Sequence, residues 1–261
     1  MLLAIDIGNT NISLGAFQSK ELLSTWRIST ESNKTSDEYE LIIRQMLHTA
    51  NIQSHHIKNV SICSVVPPLT PTFEELSKKF FGVTPLIIGS GTKTGIKVLY
   101  DNPRDVGADR IVDAAAGLHL YGGPFIVVDL GTATVFDAVS GKGEYLGGAI
   151  APGMTIAADS LFRSTSQLRR IELSIPDQAI GKNTHDALQS GLVLGYSDLI
   201  KGMITRIKRE LSEDAIVIGT GGNVPLIENE VGMLDIIDLN LTLSGLRIIY
   251  GLNREYIESE F

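Results

Sequence analysis

The chain has 261 residues, 43% of them hydrophobic, and its 22 Lys and Arg against 30 Asp and Glu give a formal net charge of −8. An acidic chain lacks the broad basic face that binds a nucleic-acid backbone, so we do not expect nucleic acid as a partner. No apolar run approaches the ~20 residues that cross a membrane, and a single cysteine, Cys63, excludes an intramolecular disulfide. We therefore expect a cytoplasmic protein with no membrane partner.

The chain opens with a predicted strand that ends in a carboxylate. Residues 2–5 form a short apolar run typical of a buried strand, Asp6 follows it, and residues 12–17 predict a returning strand. The turn between them, residues 8–10, offers hydroxyl, amide and N–H groups that suit a phosphate oxygen. A carboxylate at the mouth of this hairpin is well placed to hold a metal ion.

Hydrophobic periodicity predicts the other elements of the first half of the chain. Strands are expected over residues 22–28, 59–66, 86–88 and 96–98. Helices are expected over residues 39–50 and 70–81, the second with Thr70 as its N-cap and Pro71 as its first residue. This order of elements indicates an α/β domain with a mixed sheet.

Residues 100–119 contain several candidate catalytic and binding residues close together in sequence. A turn at Gly107 leads into a predicted helix, on which Asp109 and Asp113 share one face and Arg110 is turned away. Asp109 is placed to accept a proton or a hydrogen bond. The same residues also fit a plain structural role, with two aspartates matching the helix dipole and an arginine forming a surface ion pair.

The pattern of the opening hairpin returns over residues 125–139. Asp129 follows an apolar strand as Asp6 does, and aligning the two lays Gly131 on Gly8. A single D-x-G turn is an ordinary tight turn, but two copies after equivalent strands favour a duplicated motif. The same alignment sets Asn9, Thr10 and Asn11 against Thr132, Ala133 and Thr134.

Two similar halves predict two similar α/β domains, residues 1–120 and 121–261, that face a cleft. A polyphosphate and its cation would then lie between the two turns. On this reasoning from the residues, Asp129 is a second magnesium ligand.

Several glycine-rich stretches mark the second half. A strand over residues 144–152 carries Gly147 and Gly148, which let the backbone approach either a ligand or a neighbouring helix. The turn at residues 219–223, after a strand over residues 215–218, suits an adenine or a ribose, although a lone glycine turn is weak support. Helices are predicted over residues 155–162, 186–211 and 241–256, with Thr184 as a natural cap of the long second one.

Common phosphate-binding and catalytic signatures are missing. The sequence contains no G-x-x-x-x-G-K-[ST], no G-x-G-x-x-G after a strand and no G-x-S-x-G, and the adjacent His55 and His56 lack further ligands at metal-binding spacing. These absences argue against a P-loop enzyme, a Rossmann dehydrogenase and a serine hydrolase.

Seven motifs, in order along nearly the whole chain, resemble those of type III pantothenate kinase. They are D-x-G-N-T at 6–10, S-V-V-P at 64–67, D-x-G-A-D-R at 105–110, D-L-G-T-A at 129–133, G-G-x-I-x-P-G at 147–153, G-x-N-T at 181–184 and G-T-G-G-N at 219–223. The resemblance implies the superfamily of acetate and sugar kinases, Hsp70 and actin. It therefore implies two ribonuclease H-like (actin-like) domains with mixed sheets flanking a central cleft.

The implied activity is ATP-dependent phosphorylation of pantothenate to 4′-phosphopantothenate, the first step of coenzyme A biosynthesis. Asp109 would be the general base, Asp129 would bind a monovalent cation, K⁺ or NH₄⁺, and Asp6 would lie near Mg²⁺, directly or through water. The implied protein is a cytoplasmic homodimer. The implied ATP-binding residues are Asp6, Ile7, Gly8, Asn9, Thr10, Asn11, Ile12, Ser13, Thr132, Gly219, Gly221 and Gly222. The implied pantothenate-binding residues are Tyr100, Gly107, Ala108, Asp109, Arg110 and Thr184.

Two other classes of protein are compatible with parts of this pattern. A different small-molecule kinase or phosphatase of the superfamily would keep both hairpins but would not need residues 107–110. A non-catalytic nucleotide-binding protein would not need intact Asp6, Asp109 and Asp129, all of which are present.

Overall fold

The computed structural model describes residues 1–165 and 168–259, and the chain divides into two compact units. The first unit comprises Met1–Ile96, Asn102–His119 and the chain from Leu241 onward, and the second comprises Lys97–Asp101 and Leu120–Asn240. These units differ from the predicted domains, residues 1–120 and 121–261, chiefly in the last helix, which belongs to the first unit.

Each unit combines strands and helices. The strands are β1 Leu2–Ile7, β2 Asn11–Gln18, β3 Glu21–Ser29, β4 Asn59–Ser64, β5 Leu86–Ile87, β6 Lys97–Val98, β7 Phe125–Leu130, β8 Ala133–Val139, β9 Glu144–Pro152, β10 Ile216–Thr220 and β11 Ile236–Ile237. The helices are α1 Ser36–Thr49, α2 Leu69–Leu76, α3 Ala108–Tyr121, α4 Met154–Ser164, α5 Thr184–Gln189, α6 Gly195–Leu211, α7 Val224–Val231 and α8 Leu241–Ser259. No helix in residues 1–165 and 168–259 is long and apolar enough to cross a membrane.

The first unit is built on a five-stranded mixed sheet in the order β3-β2-β1-β4-β5, with β1 antiparallel to β2 and parallel to β4. Successive side chains of β1 point to opposite faces of this sheet. Leu3, Ile5 and Ile7 pack with α1 and α2, whereas Leu2 and Ala4 pack with α3 and α8. Asp6 has the parity of Leu2 and Ala4, so its carboxylate lies on the α3 side.

The second unit is built on a six-stranded mixed sheet in the order β11-β10-β7-β8-β9-β6. The antiparallel run β7-β8-β9 is flanked by β10, parallel to β7, and by β6, parallel to β9. On one face of β7, Ile126, Val128 and Leu130 pack in one core cluster with Ile200 and Ile204 of α6 and Ile227 of α7. Since β6 pairs with β9, the strand predicted over residues 96–98 belongs to this sheet and not to the first.

The structure corrects the predicted start of α2, the predicted cap of α5 and the predicted continuity of the long helix after Thr184. Helix α2 begins at Leu69 with Pro68 at its N-cap, so Thr70 is not the cap, and a π-helical turn, Ser77–Phe81, follows it. Helix α5 is capped by Asn183, whose side chain accepts the Asp186 N–H at 3.0 Å, so Thr184 is the first helical residue. A π-helical turn, Ser190–Leu194, separates α5 from α6 in what the sequence predicted as one helix.

Candidate functional site

The first hairpin closes with a loop that is open to solvent. Ile7 pairs with Ile12, which leaves residues 8–11 between them, and the Gly8 N–H donates to the Asn11 carbonyl at 3.0 Å. Asp6 is partly buried and the three residues after Gly8 are exposed. The polar groups of this loop are therefore accessible to a ligand.

The end of β3 holds this loop from one side. The Thr30 hydroxyl donates to the Gly8 carbonyl at 2.6 Å, and the Thr30 N–H donates to the Thr10 carbonyl at 3.0 Å. The Val65 N–H, just beyond β4, donates to the Ile7 carbonyl at 3.0 Å. The sequence did not single out Thr30, because one threonine after an alternating strand carries no recognisable motif.

Asp109 is fixed at the start of α3. Its Oδ1 accepts the Arg110 N–H at 2.8 Å and lies directly over Gly107, in the space that a Cβ at position 107 would occupy. Burial raises the pKa of the Asp109 carboxyl, and the Arg110 N–H and the Arg110 charge oppose this rise. A raised pKa makes the Asp109 carboxylate a stronger proton acceptor than an ordinary aspartate.

The charges of three acidic residues of the first unit act on the buried thiol of Cys63. Burial raises the pKa of Cys63 well above its usual range, and the charges of Asp6, Asp109 and Asp113 raise it further. Cys63 is also the strand partner of Asp6 in the β1–β4 pairing. The structure therefore brings Asp6 and Asp109 into one neighbourhood, above a buried thiol that stays protonated, as expected of a small core residue.

The second hairpin is one residue shorter than the first. Leu130 pairs with Thr134, which leaves residues 131–133 in the loop, and the Gly131 N–H donates to the Ala133 carbonyl at 3.0 Å. Thr134 therefore takes the place that Ile12 has in the first hairpin. The predicted equivalence of Thr134 with Asn11 is wrong by one position.

Two glycine-containing segments of the second unit pack against this second loop. The Gly153 N–H donates to the Thr132 carbonyl at 3.1 Å, and Asn223 donates its backbone N–H to the Leu130 carbonyl at 3.0 Å. Gly221 has a φ of +94°, and a Cβ there would lie 2.6 to 2.7 Å from the Leu130 backbone and closer still to Asp129 Oδ1. The turn predicted to meet adenosine thus also supports the Asp129 hairpin.

Tyr100 lies against the second sheet. Gly147, with a φ of +115°, leaves room for the Tyr100 ring, since a Cβ there would lie 3.2 Å from Tyr100 Cε2. The Tyr100 ring is 6.2 Å from that of buried Tyr145, whose hydroxyl donates to buried Asp137 at 2.7 Å. The glycine at 147 therefore accommodates an aromatic side chain of this chain.

Thr184 lies beside an open cavity of about 450 Å³ in the second unit. The cavity is lined by Leu168, Gly181, Lys182, Asn183, Thr184, Ala187 and Leu188. Its polar lining combines an ammonium group, an amide and a hydroxyl, which are groups that a small polar acid can use.

No group of three or more His, Cys, Asp and Glu side chains is arranged to hold a metal ion within residues 1–165 and 168–259. Magnesium does not need such a group, because it usually keeps several waters and takes one or two carboxylates plus phosphate oxygens. Asp6 beside an exposed polar loop fits that donor set.

Several solved structures share the fold of this chain. A Campylobacter jejuni protein named for the Baf family of transcriptional activators superposes with a TM-score of 0.62 at 22% identity, covering 97% of this chain and 99% of that chain. An inorganic polyphosphate/ATP-glucomannokinase from an Arthrobacter strain superposes with a TM-score of 0.53 at 15% identity, covering 97% and 98%. These likenesses concern the fold alone, and with the two mixed sheets they confirm the predicted α/β class of ribonuclease H-like units.

The sequence relationship narrows this class to one family. The model of the type III pantothenate kinase family matches residues 2–206. The type III pantothenate kinase of Moorella thermoacetica is 52% identical over 253 residues, which are 97% of this chain and 100% of the relative. The chain therefore belongs to the type III pantothenate kinase family, and the resemblance drawn from its motifs is confirmed.

Proposed function

We propose that residues of the first hairpin bind the phosphates of ATP and that Asp109 receives the proton of pantothenate. The reaction of the family is the ATP-dependent phosphorylation of pantothenate to 4′-phosphopantothenate, the first step of coenzyme A biosynthesis. One observation supports the assignment of roles: Asp6 is the strand partner of the buried Cys63, and the charges of Asp6 and Asp109, which are far apart in sequence, both raise the pKa of that thiol.

The first loop provides what a polyphosphate requires. Residues 6–13 present one carboxylate, exposed polar side chains and a backbone held by Thr30. Asp6 would hold Mg²⁺, directly or through water, together with phosphate oxygens, and Mg²⁺ would neutralise charge on the transferring group.

Asp109 has the geometry of a general base. Its carboxylate is held by the Arg110 N–H over Gly107, so it need not reorganise before it meets the pantothenate hydroxyl. A raised pKa strengthens a carboxylate as a proton acceptor, provided that it is still ionised at working pH. In a loose phosphoryl-transfer transition state the base mainly aligns the hydroxyl and takes its proton late.

We assign Asp129 to a monovalent cation, K⁺ or NH₄⁺, and Thr132 to a contact with ATP. Asp129 and the exposed Thr132 are the polar side chains that the short second loop offers. Gly219, Gly221 and Gly222 are assigned to the nucleoside of ATP, in addition to the support that Gly221 gives to the Asp129 hairpin. This assignment replaces the magnesium role that the residues alone suggested for Asp129.

The pantothenate contacts are assigned within each unit. The first unit would contribute Gly107, Ala108, Asp109 and Arg110, and the second would contribute Tyr100 and Thr184. We also propose a homodimer, which exposed apolar side chains of β9 and α4, such as Ile150 and Phe162, support. Light scattering after size exclusion measures this state directly.

The decisive experiment replaces Asp109 by Asn and measures turnover in a coupled assay with pantothenate and a panel of sugars and acids. We expect wild type to use pantothenate alone, and Asp109→Asn to lose most turnover while its affinity for ATP, measured by calorimetry, stays within about twofold, because the base does not touch the nucleotide. Near-normal turnover in this variant would contradict the base assignment. Phosphorylation of a sugar by the wild-type enzyme would contradict the assignment of pantothenate as the substrate.

A further inference from the structure

Thr30 makes two hydrogen bonds to the loop of the first hairpin, one from its side chain and one from its backbone. The hydroxyl donates to the Gly8 carbonyl at 2.6 Å and the N–H donates to the Thr10 carbonyl at 3.0 Å. Two carbonyl oxygens of a four-residue loop are thus engaged by one residue at the end of β3. No motif of the family resemblance includes Thr30.

This arrangement matters for an anion, because a carbonyl oxygen repels a phosphate whereas N–H and hydroxyl groups bind it. Because Thr30 bonds the carbonyl oxygens of Gly8 and Thr10, these oxygens are held toward the end of β3 and away from a phosphate bound at the loop. Such preorganisation lowers the ordering cost that binding would otherwise carry.

Thr30 is itself anchored to the core through its neighbour. The buried Tyr39 of α1 donates its hydroxyl to the Glu31 carbonyl at 3.0 Å and accepts the Glu31 N–H at 3.1 Å. The Tyr39 ring packs on Phe73 of α2, with centroids 4.8 Å apart. A continuous path of contacts therefore runs from the core through residues 30 and 31 to the loop.

We propose that Thr30 is a positioning residue for ATP, which fixes the phosphate-binding loop by holding the carbonyls of Gly8 and Thr10 away from the phosphates. The proposal rests on the role proposed above for the loop. Thr30 touches no reacting atom in this mechanism and acts only through the loop.

The test compares Thr30→Val, which keeps the shape and the N–H bond but loses the hydroxyl, with Thr30→Ser, which keeps the hydroxyl. Thr30→Val should raise the KM for ATP by about three- to tenfold, the effect of one lost hydrogen bond. The KM for pantothenate should stay unchanged, and Thr30→Ser should restore most of the ATP affinity. Thr25→Val, on the exposed face of the same strand, is the matched control and should behave as wild type.

Several outcomes would overturn the proposal. A wild-type KM for ATP in Thr30→Val, a Thr30→Ser variant as impaired as Thr30→Val, or an equal rise in both KM values would each do so. If Thr30→Val does not fold, Tyr39→Phe replaces it and should raise the KM for ATP in the same direction, and an unchanged value would overturn the proposal.

Asp6→Asn separates this proposal from the function on which it rests. Loss of turnover in Asp6→Asn together with a neutral Thr30→Val rejects the role of Thr30 and keeps the phosphate site. An Asp6→Asn variant with unchanged kinetics toward ATP rejects both.

Discussion

The hairpins that carry Asp6 and Asp129 have similar sequences, but different segments of the chain contact their loops. In the first, residues 8–11 are held from one side by Thr30 and remain exposed. In the second, two other segments contact residues 131–133: the Gly153 N–H donates to the Thr132 carbonyl at 3.1 Å, and the Asn223 side-chain amide donates to the Gly131 carbonyl at 3.4 Å. We propose that the first loop, which is longer and exposed, follows the polyphosphate, whereas the second loop, which two other segments contact, holds a single ion through Asp129. On this proposal the two copies of the motif have different roles, set by what packs on each of them.

The largest expected difference is between Asp6→Asn and Asp129→Asn. If the open loop carries Mg–ATP, Asp6→Asn should lower kcat/KM by about 10² to 10³, the range for losing a group that stabilises transition-state charge. Asp129→Asn should cost about tenfold, since it weakens one interaction with a charged group. Steady-state kinetics of both variants in potassium and in sodium measure this.

Potassium dependence supplies the control for that pair. Wild type and Asp6→Asn should both be more active in potassium than in sodium, whereas Asp129→Asn should respond equally to the two ions. Equal losses of kcat/KM in Asp6→Asn and Asp129→Asn would show that the two hairpins have the same role and would contradict this comparison.

A second pair of variants tests two glycines that lie against candidate site carboxylates, Gly221 against Asp129 and Gly107 against Asp109. Gly221→Ala should unfold more easily by about 3–5 kcal/mol, because it combines a strained backbone with a close contact to Leu130. Gly107→Ala meets only the movable Asp109 carboxylate at short range, so it should stay within about 1 kcal/mol of wild type. The kcat of Gly107→Ala should instead fall about tenfold, because the added Cβ would turn the Asp109 carboxylate out of its position. Thermal melting and kinetics measure the two effects.

Gly202→Ala is the control, since nothing within 4 Å would meet its Cβ. It should leave kcat near wild type and should not lower the melting temperature, because Ala is more favourable than Gly in a helix interior by about 1 kcal/mol. A stable Gly221→Ala variant, or a Gly107→Ala variant with full kcat, would show that these contacts do not position the carboxylates.

The smallest expected effect is on pH dependence. Burial raises the folded-state pKa of Asp109 above the ordinary 3.8, so the acidic limb of kcat/KM should lie above that value. A raised carboxyl pKa contributes stability that is present below the unfolded pKa and is lost as pH rises through the folded pKa. Asp109→Asn cannot ionise, so its melting temperature relative to wild type should rise through the same window.

Asp198→Asn, at an exposed position on α6, should leave both pH profiles in place. An acidic limb at or below the ordinary aspartate value would contradict the assignment of Asp109 as a buried base.

Local sequence patterns predicted much of this fold. The alternation of apolar residues and the glycine turns located the strands of both hairpins, and β9 was predicted with its observed bounds. The repeated D-x-G turn and the turn before α3 singled out Asp6, Asp109 and Asp129 as candidates, because polar residues at strand and helix ends leave a short-range pattern in the sequence. Seven motifs in order then identified the family.

Features set by distant partners were not predictable in this way. The two-residue strand β6 is too short to carry a sequence pattern that shows which sheet it joins. Its pairing with β9 places it in the second sheet. The π-helical turn Ser190–Leu194 depends on packing, as hydrophobic spacing alone favours one unbroken helix. Thr30 reaches Gly8 across 22 positions of sequence, and only the coordinates reveal that bond.

Helix α8 has a consequence for how the chain matures. It packs into the first unit, where Gly245 lies against Val112 and the Ser61 hydroxyl donates to the Leu246 carbonyl at 3.3 Å. The second unit is complete in sequence once Asn240 has been synthesised, but the first must wait for α8. During synthesis the first unit can therefore complete its fold only after the residues of the second unit have been made, and its apolar α3 face stays uncovered until α8 follows.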